Sequence, residues 1–151
     1  MVLMYHDGSN TQEGDVDRAA MDQIVNEHFG YEAADDVDGV LATLAPGATH
    51  HLVGSPLGPV RDPAAIRAFY EELFAACDGE DVEPVARWYG EDFLVDESLW
   101  TGQVHDARLF GLPGRSGHVT FRLLHVFELD GDRIRTERVW ADVAAIAEQT
   151  T

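Results

Sequence analysis

Residues 123–142, LLHVFELDGDRIRTERVWAD, decide the architecture. Asp130-Gly131 is a two-residue hairpin signal, and the residues on either side alternate with period two. Two antiparallel strands are therefore expected, over Val119–Leu129 and Arg133–Asp142. Upstream, Val82–Tyr89 and Phe93–Val104 show the same period, whereas His105–His118 contains FGLPGRSG and reads as an irregular loop. Toward the N-terminus the period changes to 3.6. Met21, Ile24, Val25 and His28 form one helical stripe; Val37, Val40, Leu41 and Leu44 form a second, stopped by Pro46-Gly47. Ala48–Val53 reads as a strand. Asp62-Pro63 starts a third helix with a capping carboxylate and a first-turn proline. Its apolar face is Ile66, Phe69, Tyr70, Leu73 and Phe74, and it ends near Asp78-Gly79. Residues 1–15 have no periodicity and read as a loose arm, leaving 16–151 as a single domain. Three helices with one strand among them, followed by four antiparallel strands, make an α+β layout. A strongly bent sheet around the helices would leave a pocket between the two layers.

The chain of 151 residues is long enough for one substantial core. Twenty-eight acidic residues against ten Lys and Arg leave a formal charge of −18. That field repels phosphate backbones and anionic membranes, so neither nucleic acid nor a membrane is an expected partner. The charge fits solubility or a salt-adapted proteome, and its sign alone points to no substrate. Cys77 is the single cysteine, which excludes an intramolecular disulfide and a thiolate metal cluster; packing is its expected role. MVLMYHDGSN lacks the basic and apolar runs of a signal peptide, and no apolar segment reaches bilayer length. A cytoplasmic location is the expectation that follows.

Three stretches carry a family likeness: AADDVDGVLATLAPGATHHLVG, RDPAAIRAFYEELF and the hairpin LLHVFELDGDRIRTERVWAD. Together they resemble the nuclear transport factor 2-like superfamily over roughly residues 20–146, and more narrowly the SnoaL-like polyketide cyclases, ketosteroid isomerases and limonene epoxide hydrolases. The resemblance implies a cone-shaped, bent mixed or antiparallel sheet wrapped around about three N-terminal helices, a cystatin-like α+β barrel. It is specific for the fold and weak for the chemistry, since one fold hosts many sites. The isomerase tyrosine that donates to the substrate oxyanion matches His28. The isomerase base matches Leu52, or His51 if the loop shifts by one. The second oxyanion donor falls at Leu124, and the base of the hydrolases and cyclases at Val139. A valine cannot abstract a proton, so the sequence argues against all three reactions run by their usual machinery.

Other residues can still move protons. His50 and His51 are adjacent on a strand, so one faces the helices and the other faces away; the family match favours His50 and Leu52 inside, and a bulge would bring in His51. The alternative is a half-buried histidine bonded to a neighbour. Asp96 lies in FLVDESLWTG on the same strand face as Ser98 and Trp100. Against apolar walls it would act as an acid or base; the alternative is an ion pair with Arg87 or Arg122. His28 in its apolar stripe is either a pocket group or a satisfied core residue. The SnoaL-like match implies a supporting, substrate-facing histidine at His125; the alternative, since alternation sets it beside Leu123 and Phe127, is a place in the core or on a dimer face. Trp140 reads as packed, and Glu137 as an exposed charge or interface partner. No HxH or HxxxH spacing and no phosphate-cradling loop occurs, so no metal and no cofactor is expected.

The reading is a cofactor-free isomerase, cyclase, dehydratase or hydrolase working on a small apolar molecule, with Asp96, His50, His51, His28 and His125 as candidate proton carriers. Phe29, Leu52, Phe69, Trp100, Leu124 and Val139 are the expected pocket walls. The alternative is a module that binds a hydrophobic ligand, or dimerises, without chemistry. Asp96 and a histidine within hydrogen-bond reach would favour the enzyme; both turned to solvent would favour the module. VTFRLLHVFEL is apolar on both faces, more than one pocket hides, so a homodimer through the outer face of the sheet is expected.

Overall fold

The computed structural model describes residues 11–151, and side chains from residue 17 onward. The expected arm over 1–15 falls mostly outside the described residues; its last five residues open the first helix, α1 (Thr11–Ala33). Met21 and Val25 bury the apolar stripe of α1. Asp35 then takes a left-handed φ of 53°, a conformation that aspartate tolerates at helix ends. Asp36 caps α2 (Val37–Ala42), its carboxylate accepting the Gly39 amide at 2.9 Å. The short helix stops at Thr43, before Pro46-Gly47. That dipeptide instead lies inside β1 (Leu44–Leu52), where the pairing register shifts between Leu44 and Thr49. An irregularity in the strand absorbs the proline, as edge strands allow.

Asp62 caps α3 (Pro63–Ala76), which buries Ile66, Phe69 and Tyr70. The helix ends three residues before Gly79, because β2 (Cys77–Tyr89) begins directly after it. β3 (Phe93–Val104), β4 (Gly117–Asp130) and β5 (Arg133–Ala141) follow. The loop before β4 holds one 3₁₀ turn, Ala107–Phe110, closed by Gly111 at φ 76°. A last helix, α4 (Val143–Gln149), escapes the sequence reading. It buries Ile146, and the Gln149 side-chain amide pairs with the Thr120 amide and carbonyl at 3.0 and 2.8 Å, in the manner of an added strand residue.

The five strands form one mixed sheet in the order β1-β5-β4-β3-β2, with β1 parallel to β5 and all other pairs antiparallel. The sheet is not closed into a barrel; β1 and β2 are its edges. Val60 returns to pair with His50, which covers part of the β1 edge. Beneath α1, Met21, Val25, Leu94, Phe127 and Ile134 pack together. A larger core joins α3, the 3₁₀ turn and α4 to the sheet through residues such as Ile66, Phe110, Val119 and Ile146. No described helix is long and apolar enough to cross a membrane.

Candidate active site

Between the helices and the inner face of the sheet lies a cavity of about 770 Å³, within the usual range for small-molecule sites. Strand alternation decides which side chains reach it. β1 contributes His50 and Leu52, β3 contributes Asp96, Ser98 and Trp100, and β4 contributes Phe121, Leu123 and His125. β5 contributes Glu137 and Val139, while Phe29 and Phe69 come from α1 and α3. Three expected members do not line it: Leu124, His51 and His28. Leu124 has the opposite parity to His125 and stands on the outer face, where the pleat must put it. His51 is half-exposed beside Arg138, on the other face from His50, and does not line the cavity.

Glu137 corrects the reading of an exposed charge: it is 1% exposed. Its Oε2 accepts the Tyr70 hydroxyl at 2.7 Å and lies 3.2 Å from His28 Nε2 and 3.9 Å from His50 Nε2. Its Oε1 has no partner among the described residues. Alternation would have revealed it, because residue 137 shares a face with residue 139. Trp140, read as packed, is instead 39% exposed on the opposite face.

His28 sits behind Glu137 rather than on the cavity wall. The Thr43 hydroxyl spends its proton on the Val40 carbonyl at 2.6 Å, so its oxygen must accept from His28 Nδ1 at 2.7 Å. Nε2 meets two carboxylates, Glu32 at 3.1 Å and Glu137 at 3.2 Å, and must also carry a proton. Both ring nitrogens are donors, which makes this an imidazolium. Burial alone would lower its pKa; the Glu137 and Glu32 carboxylates outweigh burial and raise it to about 10. Burial likewise pushes Glu137 toward its neutral form, and the neighbouring His28 imidazolium reverses this, holding it ionised and below the usual carboxylate range. Tyr70 is driven well above 10 by burial and then by Glu137, and it stays a donor.

His50 differs. It is 2% exposed, its ring lies 4.2 Å from that of Phe69, and burial lowers its pKa despite the pull of Glu137. It is a neutral imidazole whose Nδ1 has no partner among the described residues. His125, 6% exposed, stacks on Phe127 at 5.5 Å and leaves its Nδ1 equally unpaired.

Asp96 is buried, and neither of the two discriminating outcomes applies to it. Although it pairs with His125 across the strands, its carboxylate accepts Arg87 Nε at 2.8 Å. The other end of Arg87 reaches Asp22 at 2.7 Å and Asn26 at 3.1 Å. This is the ion-pair alternative, so the free acid in an apolar wall is not what the fold builds. Cys77 lines the cavity with its thiol pushed up to about 12 by burial, which leaves it unreactive. The His28, Glu32 and Glu137 donor atoms lie within 4.8 Å of one another and could surround a cation. A metal would have to displace the Nε2 proton that already joins them.

The description SnoaL-like domain matches residues 25–137, well over half the chain. No curated protein matches the sequence. Among solved structures, a protein from Silicibacter sp. TM1040 suggested to be a polyketide cyclase is 16% identical with a TM-score of 0.73, over 87% of this chain and 96% of that one. An LEH-like epoxide hydrolase of M. tuberculosis is 18% identical with a TM-score of 0.66, over 86% and 88%. An NTF2-like protein of Burkholderia thailandensis is 22% identical with a TM-score of 0.64, over 83% and 93%. At these identities the structural likeness speaks for the fold alone. The β4–β5 hairpin, the cavity above it and the matched span agree: the chain belongs to the SnoaL-like domain family.

Proposed function

We propose that the protein is a cofactor-free acid/base enzyme acting on a small, largely apolar molecule held in the cavity, with His50 as the base. One observation carries the reading: a neutral, unpaired imidazole lines an aromatic cavity with an ionised, buried carboxylate behind it. Neither ring nitrogen of His50 has a hydrogen-bond partner among the described residues, so the imidazole is free to accept. When it takes a proton from substrate carbon or from water, the new imidazolium gains the Glu137 charge 3.9 Å away. Tyr70 and His28 hold that carboxylate in place, and thus position the base. His125, the second imidazole of the wall, offers a ring N–H as a hydrogen-bond donor to the oxygen that develops charge, and His50 hands its proton on to the product. The neighbours named for polyketide cyclases and epoxide hydrolases support a reaction of this class. A cytoplasmic location fits the lone, unpaired Cys77.

The test is deuterium uptake, followed by NMR, in a panel of small cyclic ketones and epoxides with the wild-type protein and His50→Gln. Exchange or ring opening above buffer, lost by about two orders of magnitude in His50→Gln, is the expected result. Wild type and variant both at the buffer rate would favour the second reading, a ligand-binding module. That reading draws on the fact that both buried carboxylates, Asp96 and Glu137, are already engaged by cations.

A further inference from the structure

Among the described residues, the wall and mouth of the cavity carry seven carboxylates and a single guanidinium, Arg87. Arg87 is committed, with Nε on Asp96 and Nη1 on Asp22 and Asn26. Five of the acids, Glu32, Asp35, Asp78, Glu80 and Asp81, are exposed or half-exposed and therefore sit at the mouth, on the α1 end and the first residues of β2. Asp78 and Glu80 lean outward on His105 and His118 at 2.7 and 2.9 Å, and Glu32 meets His28. Asp35 and Asp81 face no cation among the described residues. Further in, the walls are the rings of Phe69, Phe74, Trp100 and Phe121. At the inner end Glu137, 1% exposed, keeps Oε1 without a hydrogen-bond partner among the described residues.

We infer that the natural ligand is a cation: an apolar, ring-sized body bearing a protonated amine. The inference rests on the cavity being the substrate site, and it narrows the substrate class within that reading. Three independent features of the lining favour such a molecule. Acidic groups at a mouth with low-dielectric walls concentrate cations and repel carboxylates and phosphates. Aromatic faces attract an ammonium through their quadrupoles while burying the apolar body. An unpaired carboxylate oxygen at the inner end completes its hydrogen bonding with an N–H donor, and the bond is strongest when that donor is charged. An anionic ligand would meet the reverse of all three.

Three probes with one ring system separate charge from shape: 2-(1-naphthyl)ethylamine, 2-(1-naphthyl)ethanol and 1-naphthylacetate, titrated calorimetrically into the wild-type protein. The amine should bind about ten-fold or more tighter than the alcohol, with the acetate weakest. Raising the salt to about 0.5 M should shrink the advantage, since the mouth charges are screened. The double variant Asp35→Asn, Asp81→Asn, both exposed and outside the proton-transfer group, should reduce it in the same direction at low salt. Equal or tighter binding of the alcohol or the acetate overturns the inference, as does no binding of any probe. Deuterium exchange on neutral ketones, run on the same samples, separates this failure from that of the acid/base reading. Exchange without amine preference removes only the cationic ligand; amine preference without exchange removes only the catalysis.

Discussion

Taking Glu137 out of water disfavours its charged form, and the fold answers with an imidazolium and a phenol rather than with a proton. The two partners make stability depend on pH from both sides. His28 has a folded pKa of about 10 against an ordinary 6.5, so its contribution is complete below about pH 6.5 and is lost as pH rises toward 10. Glu137 is shifted below its ordinary 4.5, so its contribution holds above that value and fades as pH falls further. Glu137→Gln should therefore cost about 3–5 kcal/mol at mildly acidic pH, the scale for stranding one member of a buried pair. Part of the wild-type loss of stability on the alkaline side should vanish with it. Urea unfolding from mildly acidic to alkaline pH checks both; an unchanged midpoint and pH slope would mean that the pair contributes nothing. The sequence carried this residue in plain view. Glu137 lies two positions before Val139 on one strand, and whatever faces the cavity at 139 does so at 137. It was read as surface because a lone glutamate usually is.

Among the elements, the pleat explains both what was legible and what was not. Period two located β3, β4 and β5 to within about two residues, and period 3.6 located α3, because each buries one face. β1 was read too short, since Pro46-Gly47 looks like a stop until an edge strand absorbs it. α4 has only seven residues and a single buried side chain, too little periodicity to register. Adjacent residues cannot share a face, so Leu124 and His125 could not both line one cavity; the structure keeps His125 inside. At Asp96 the missing information was tertiary. Residue 87 reaches it because β2 and β3 pair Arg87 with Asp96, a register invisible in the composition. Asp96→Asn should lower stability by about 1–3 kcal/mol, a charged hydrogen bond lost while Asp22 still holds Arg87. It should leave any turnover within about a factor of ten of wild type, far less than a general acid or base would lose. A loss of two orders of magnitude in turnover with an unchanged melting temperature would restore Asp96 as the proton carrier.

Across the whole molecule, the sheet has two unlike faces. The inner one lines the cavity. The outer one presents Val95, Leu99, Leu124, Val126 and Trp140, bordered by the ion pairs Arg122–Glu97 and Arg138–Glu128. We propose that two copies pair through this face, because an apolar patch with a charged border is self-complementary about a two-fold axis. Light scattering at micromolar concentration should give twice the chain mass, and Trp140→Glu should return a monomer; a wild-type monomer contradicts the pairing. Beneath the cavity the protons are unevenly distributed: His28 is doubly protonated against Glu137, and His50 is neutral beside them. Long-range nitrogen–proton NMR of the imidazoles, at about pH 7 and about pH 9, reads this distribution directly. Protons are expected on both ring nitrogens of His28 at both values, and a single proton on His50 at the lower one. A neutral His28 or a charged His50 at about pH 7 would contradict this distribution.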